Sequence, residues 1–121
     1  MVQDFLPENF EIIVVDNVSK DNTLNVAKKF AREYPGLVRI IMEKHIQSSY
    51  AARNKGINAS EGSIIAFIDA NMSVEKDWLS KIVNSLEKNQ VEYFACKVEI
   101  YLKEKNVFGY YFFYNFFNIF H

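Results

Sequence analysis

Ser63-Ile64-Ile65-Ala66-Phe67-Ile68-Asp69-Ala70-Asn71 decides how the rest of the chain is read. Five apolar residues run without alternation and end abruptly in Asp-Ala-Asn. Such a run suits a strand buried on both faces, as in a parallel sheet with helices above and below. Its β-branched and aromatic content, and the preceding Glu61-Gly62, favour strand over helix. The polar residues then fall at the carboxyl end of a central strand, where open α/β sheets place ligands. Asp69 and Asn71 are two apart across the small Ala70, so two oxygen ligands can reach one hard cation, or one cation and one sugar hydroxyl. The same tripeptide also suits a strand-ending turn.

A second apolar run, Phe10 to Val15, ends in Asp16-Asn17 in the same manner. Two parallel strands would bring two carboxylates to one edge of the sheet. The polar turn Val18 to Thr23 leads to a helix predicted over Asn22 to Glu33, with Leu24, Ala27 and Ala31 at helical spacing. Ser19 or Asp21 can cap it. Tyr34-Pro35-Gly36 stops it, because proline cannot continue the ladder and glycine permits a sharp reversal.

Leu37 to Met42 is a third strand candidate, and Arg39 within it points to an edge or a partly open face. Ser48 can cap a helix over Tyr50 to Ala59 whose apolar face is Ala51, Ala52, Ile57 and Ala59, with Gly56 as a weak point. Arg53 on that helix reads either as a solvated residue or as a phosphate contact. A helix follows from about Lys76 to Lys88, with Trp78, Leu79, Ile82, Val83 and Leu86 on one side. Val91 to Leu102 alternates like a strand with a bulge near Cys96. Little regular structure is expected from Met1 to Asn9.

At 121 residues, half hydrophobic and 24% charged, the chain is expected to be a single globular domain over 1–121. A net charge of −1 offers no electrostatic case for nucleic acid. One cysteine excludes an intrachain disulfide and a multi-cysteine metal site. The first residues lack the pattern of a signal peptide, and a cytoplasmic setting is expected. The aromatic segment Val107 to Phe120, within a C-terminal helix expected over about 105–120, would be about 21 Å long, short of a bilayer's hydrocarbon thickness. Exposed rings there point to burial in a partner or to peripheral membrane contact.

In order, these motifs resemble family 2 glycosyltransferases of the GT-A fold. FEIIVVDNVSKDNT (Phe10 to Thr23) is similar to the family's second strand and following turn. AARNKGINASEGSIIAFIDAN (Ala51 to Asn71) is similar to its Ala-Arg-Asn helix and Asp-x-Asp strand, and Trp78-Leu79 to an aromatic-Leu pair beyond it. The implied fold is a partial, Rossmann-like three-layer α/β sandwich, mainly parallel, lacking the family's first strand. The implied activity is sugar transfer from a nucleotide-diphosphosugar donor to an acceptor that is unknown. The implied roles put Asp16 and Asn17 on the nucleotide, Arg53 beside it, and Asp69 and Asn71 at a diphosphate-bound Mg²⁺ or Mn²⁺.

Three departures qualify the resemblance. Asn71 replaces a second Asp, which weakens cation affinity. Val18 stands where the family usually has Gly, at a turn that often needs an unusual backbone angle. The first strand and the Glu-Asp pair that supplies the catalytic base have no counterpart, so the chain reads as a fragment truncated at both ends, and no catalytic residue is assigned. A missing central strand would leave the strands ending at Asp16 and Asp69 to pair directly, or a second chain to fill the gap, and a homo-oligomer is expected. The alternative from another class is a non-catalytic, oligomerising interaction module derived from a glycosyltransferase.

Overall fold

Apolar runs that must be covered on both sides set the architecture. The structure is a computed structural model that describes residues 3–69, 72–93 and 95, and the backbone of 115–119. A single 3-10 turn, Pro7–Asn9, leads into β1 (Phe10–Asp16), α1 (Thr23–Glu33), β2 (Val38–Met42), α2 (Ser49–Ala59), β3 (Ile64–Ile68), α3 (Trp78–Asn89) and β4 (Asn115–Ile119). The sheet order is β2-β1-β4-β3. β1 and β2 are parallel, and β4 is antiparallel to both β1 and β3. Three of the four strands therefore run the same way, which is the mainly parallel, partial GT-A sheet expected.

Residues of β1 divide strictly between the two faces, as a pleat requires. Phe10 and Ile12 join Val38, Ala66, Ile68 and α3's Leu79, Ile82 and Val83, with Ala31 and Tyr34 of the α1 side packed against them. Ile13 and Val15 join Ala52 on the opposite face, flanked by Ile41 and Ala59. Helices α1 and α3 thus cover one face and α2 the other. Ile13 and Leu79 are fully buried, each contributing about 1.5–3 kcal/mol of apolar transfer.

Helix α2 starts on the predicted cap: Ser48 Oγ accepts from the Ala51 amide at 3.2 Å. It continues unbroken through Gly56, which is buried together with Ala51 and Ala52, while Ile57 is exposed. Small residues let this helix lie close to the sheet, and the larger Ile57 is turned away. Helix α1 receives at its first residue the bond expected from Asp21. Asn22 sits at the cap position without a side-chain cap bond, and Asp21 Oδ1 accepts from Thr23 N at 3.0 Å. The lead-in is better ordered than its composition suggests. Gln3 Oε1 accepts from the Leu79 amide in the first turn of α3, and its Nε2 donates to the Glu75 carbonyl. Asp4 N donates to the Lys76 carbonyl at 2.9 Å.

Two expectations need correction. Residues 115–119, expected within an aromatic helix, form strand β4. The gap between β1 and β3 is closed neither by direct pairing nor by a second chain, but by β4 itself. A short, two-sided apolar strand lacks alternation, so periodicity alone cannot separate it from a helix. One argument for a homo-oligomer, an open gap in the sheet, is thereby removed. Residues 91–93 and 95 are not in a strand, and the remainder of the strand expected over 91–102 lies outside the described residues, as do Cys96 and 105–114 of the aromatic segment.

Candidate functional site

The site is built where β1 and β3 end. Ile13 and Phe67 both pair with Phe116 of β4. Asp16 lies three residues beyond Ile13, and Asp69 two residues beyond Phe67. The two acidic residues therefore reach the same rim within about one residue, ~3.4 Å, in height, and two strand spacings, ~10 Å, apart. Pleating carries Asp16 toward the α1/α3 side and Asp69 toward the α2 side. They flank the rim, and β4 begins between them at Asn115, paired with Ile68.

Asp16 is 3% exposed. Its Oδ2 accepts from Ser19 N at 3.3 Å, and its Oδ1 is buried without a hydrogen-bond partner among the described residues. Leaving a buried acceptor unmet costs about 1–3 kcal/mol, and such atoms are where function is to be sought. Val18, in the turn that holds this carboxylate, has φ of 60°. A β-branched residue in the left-handed region is strained, and glycine is the residue that would relieve it. The unusual angle expected at Val18 is present.

Asn17 is placed beside Asp16 but its amide is engaged by the protein. Nδ2 donates to the carbonyls of Glu43 and Ile46, both at 2.9 Å. Asp69 is half-buried, and its carbonyl accepts from Met72 N at 3.0 Å. Asn71 lies outside the described residues. Arg53 is half-buried one turn into α2, the helix that starts from the loop beside Asp16. Asp16, Asn17 and Asp69 thus share one rim, and Arg53 lies in the first half of α2.

Glu43 went unassigned in the sequence, although it follows the apolar run of β2 as Asp16 follows that of β1. It is buried, and its Oε1 accepts from His45 N at 2.7 Å and Ile46 N at 3.1 Å. Those two bonds, the first foremost, hold its carboxyl below the ordinary value, with the Lys55 and His45 charges adding. Among the described residues, no group of three or more His, Cys, Asp or Glu side chains is placed to hold a metal ion. Asp69 is a carboxylate that could serve a cation such as Mg²⁺, which commonly keeps phosphate or water oxygens in its shell.

The opposite edge of the sheet carries a separate polar network. Arg39 on edge strand β2 pairs with Glu11 at 2.9 Å and with Glu61 at 3.7 Å, and donates to the Ala59 carbonyl. Glu11 also accepts from Glu61 N at 3.2 Å. The charge in β2 thereby ties the end of α2 to the sheet, which accounts for an arginine in an otherwise apolar strand.

The sequence model of Glycosyl transferase family 2 matches residues 2–120. The chain belongs to that family. It is 38% identical over 97 residues to glycosyltransferase AglE of Haloferax volcanii, covering 80% of this chain and 32% of the relative. It is 30% identical over 97 residues to a cholesterol galactosyltransferase of Borreliella burgdorferi, covering 80% and 26%. An uncharacterized glycosyltransferase of Escherichia coli, YibD, is 29% identical over 94 residues, covering 78% and 27%. The chain thus spans about a third or less of the length of these relatives. No solved structure matches it significantly. Among the described residues, no helix is long and apolar enough to cross a membrane.

Proposed function

We propose that the chain forms the donor-binding part of a glycosyltransferase that takes a nucleotide-diphosphosugar. The observation that carries this reading is the strand register that sets Asp16 and Asp69 on one rim, about two strand spacings apart. A nucleoside diphosphate is long enough to bridge such a span. In this reading Asp16 lies against the base or ribose. Arg53 approaches the diphosphate from α2. Asp69, with Asn71, holds a divalent cation, Mg²⁺ or Mn²⁺, together with the diphosphate oxygens. When bound, such a cation neutralises charge on the diphosphate leaving group. Asn17 serves the rim by holding the neighbouring loop rather than by presenting its amide to the nucleotide. The acceptor is a glycosyl acceptor of unassigned chemistry, and the setting is the cytoplasmic side of the cell.

Thermal shift with uridine diphosphate, with and without Mn²⁺, tests the reading. A ligand that binds only the folded chain raises the melting temperature, by about 2.7 kcal/mol of stabilisation at a hundredfold excess over Kd. A Mn²⁺-dependent rise is expected. No shift at millimolar ligand would contradict it and favour the non-catalytic interaction module.

A further inference from the structure

We infer that Glu43 is a positioning residue of the nucleotide site, shaping the connection that joins Asp16 to the helix carrying Arg53. This rests on the proposed function above. Glu43 N donates to the Asp16 carbonyl at 2.9 Å, extending the β1–β2 ladder by one rung at the residue that matters. Its side chain turns back and accepts from His45 N and Ile46 N. Its own carbonyl and that of Ile46 receive the Asn17 amide. Ile46 O also accepts from Ser48 N at 3.0 Å, and Ser48 Oγ caps α2 at Ala51, two residues before Arg53. The hydrogen-bond path from Asp16 to the Arg53 helix is therefore continuous, and the buried carboxylate of Glu43 is the side chain around which it folds. His45 from the connection and Lys55 from α2 face that carboxylate with positive charge, and Asp16 lies across the ladder from it.

Removing this carboxylate frees two backbone N–H groups and lets the connection relax, so Arg53 and Asp16 lose their relative placement. Uridine diphosphate with Mn²⁺ is titrated into the unaltered chain, Glu43→Ala and Glu43→Gln, alongside amide hydrogen exchange. Loss of a charge-assisted bond predicts Kd at least about tenfold higher in Glu43→Ala. The neutral acceptor of Glu43→Gln predicts partial rescue, to about threefold. Exchange at His45 and Ile46 quickens in both variants while the amides of Ile13 and Leu79 keep their protection, which general destabilisation would not produce. Affinity unchanged in both variants overturns the positioning role and leaves the donor-binding reading intact. Should Glu43→Ala not fold, unchanged affinity in Glu43→Gln overturns it equally. No binding by the unaltered chain overturns the donor-binding reading and this role with it.

Discussion

Asp16 and Asp69 close two strands that run in the same direction on either side of β4, one on each face of the rim. The relation is fixed by backbone pairing, because both strands are counted from the same residue of β4. It sets the span between the two carboxylates and puts them in different surroundings. Asp16 is buried at the end of β1, and Asp69 is half open at the rim.

That difference predicts distinct losses. Asp69→Asn should remove the Mn²⁺-dependent part of uridine diphosphate binding and leave the Mn²⁺-independent part nearly unchanged. Asp16→Asn should weaken both, by about tenfold or more, because a charged acceptor is replaced by an amide that offers a donor. Calorimetric titration with and without Mn²⁺ measures the two patterns. Equal losses in both variants would contradict separate roles.

Val18→Gly should stabilise the chain. A non-glycine residue in the left-handed region costs about 1–3 kcal/mol, and the added freedom of glycine in the unfolded chain takes back about 0.5–1 kcal/mol. A net gain of ~1 kcal/mol is expected in the urea midpoint at constant slope. Val18→Ala, which keeps the Cβ atom, should give little of it.

The acid limb of stability should report Glu43. Its carboxyl is held below the ordinary 4.5 in the folded chain, chiefly by the His45 amide. A depressed folded value stabilises the fold at any pH above the unfolded value, and that share is lost as pH falls from about 4.5 through the lower folded value. Glu43→Gln should therefore be less stable at neutral pH and converge on the unaltered chain in acid. Asp21 and Asp77 are also lowered, by their bonds to Thr23 and Lys81, but contribute equally to both proteins. Urea midpoints from about pH 7 to about pH 3 give the comparison, and parallel curves would contradict it.

Phe117→Pro tests the place of β4. Residue 117 pairs with Ile12 on one side and Ala66 on the other. Proline in a strand with neighbours on both sides loses a ladder bond and leaves a buried acceptor unmet, at about 1–3 kcal/mol before any clash. Against a total stability of about 5–15 kcal/mol this is a large fall in the urea midpoint. An unchanged midpoint would mean that β4 does not lie within the sheet.

Much of the fold is legible in local patterns, for reasons that differ by element. Ile64 to Ile68 forms a strand with the bounds read from its unbroken apolar run. Ser48 caps α2 because a hydroxyl before a helix has little else to satisfy. Val18 betrays its angle only through the resemblance, since nothing in valine announces a positive φ. β4 is not legible, because its strand character comes from partners more than forty-five residues away in the chain. The place of Asp16 and Asp69 at the ends of two strands is read directly. The bonds of Asn17 are not legible, because an amide after a strand can serve a ligand or the backbone equally, and only the position of the Glu43 and Ile46 carbonyls shows where its Nδ2 goes. Glu43 is overlooked although it repeats the pattern of a carboxylate after an apolar run.

Paramagnetic broadening of amide resonances by Mn²⁺ in the presence of uridine diphosphate bears most directly on the shared rim. The amides of Asp16, Asn17, Asp69 and Met72 should fade together at substoichiometric Mn²⁺, while those of Glu11 and Glu61 at the opposite edge stay sharp. Broadening centred on Glu11 and Glu61, or at Asp69 with Asp16 and Asn17 untouched, would contradict a single ligand held between the two strand ends.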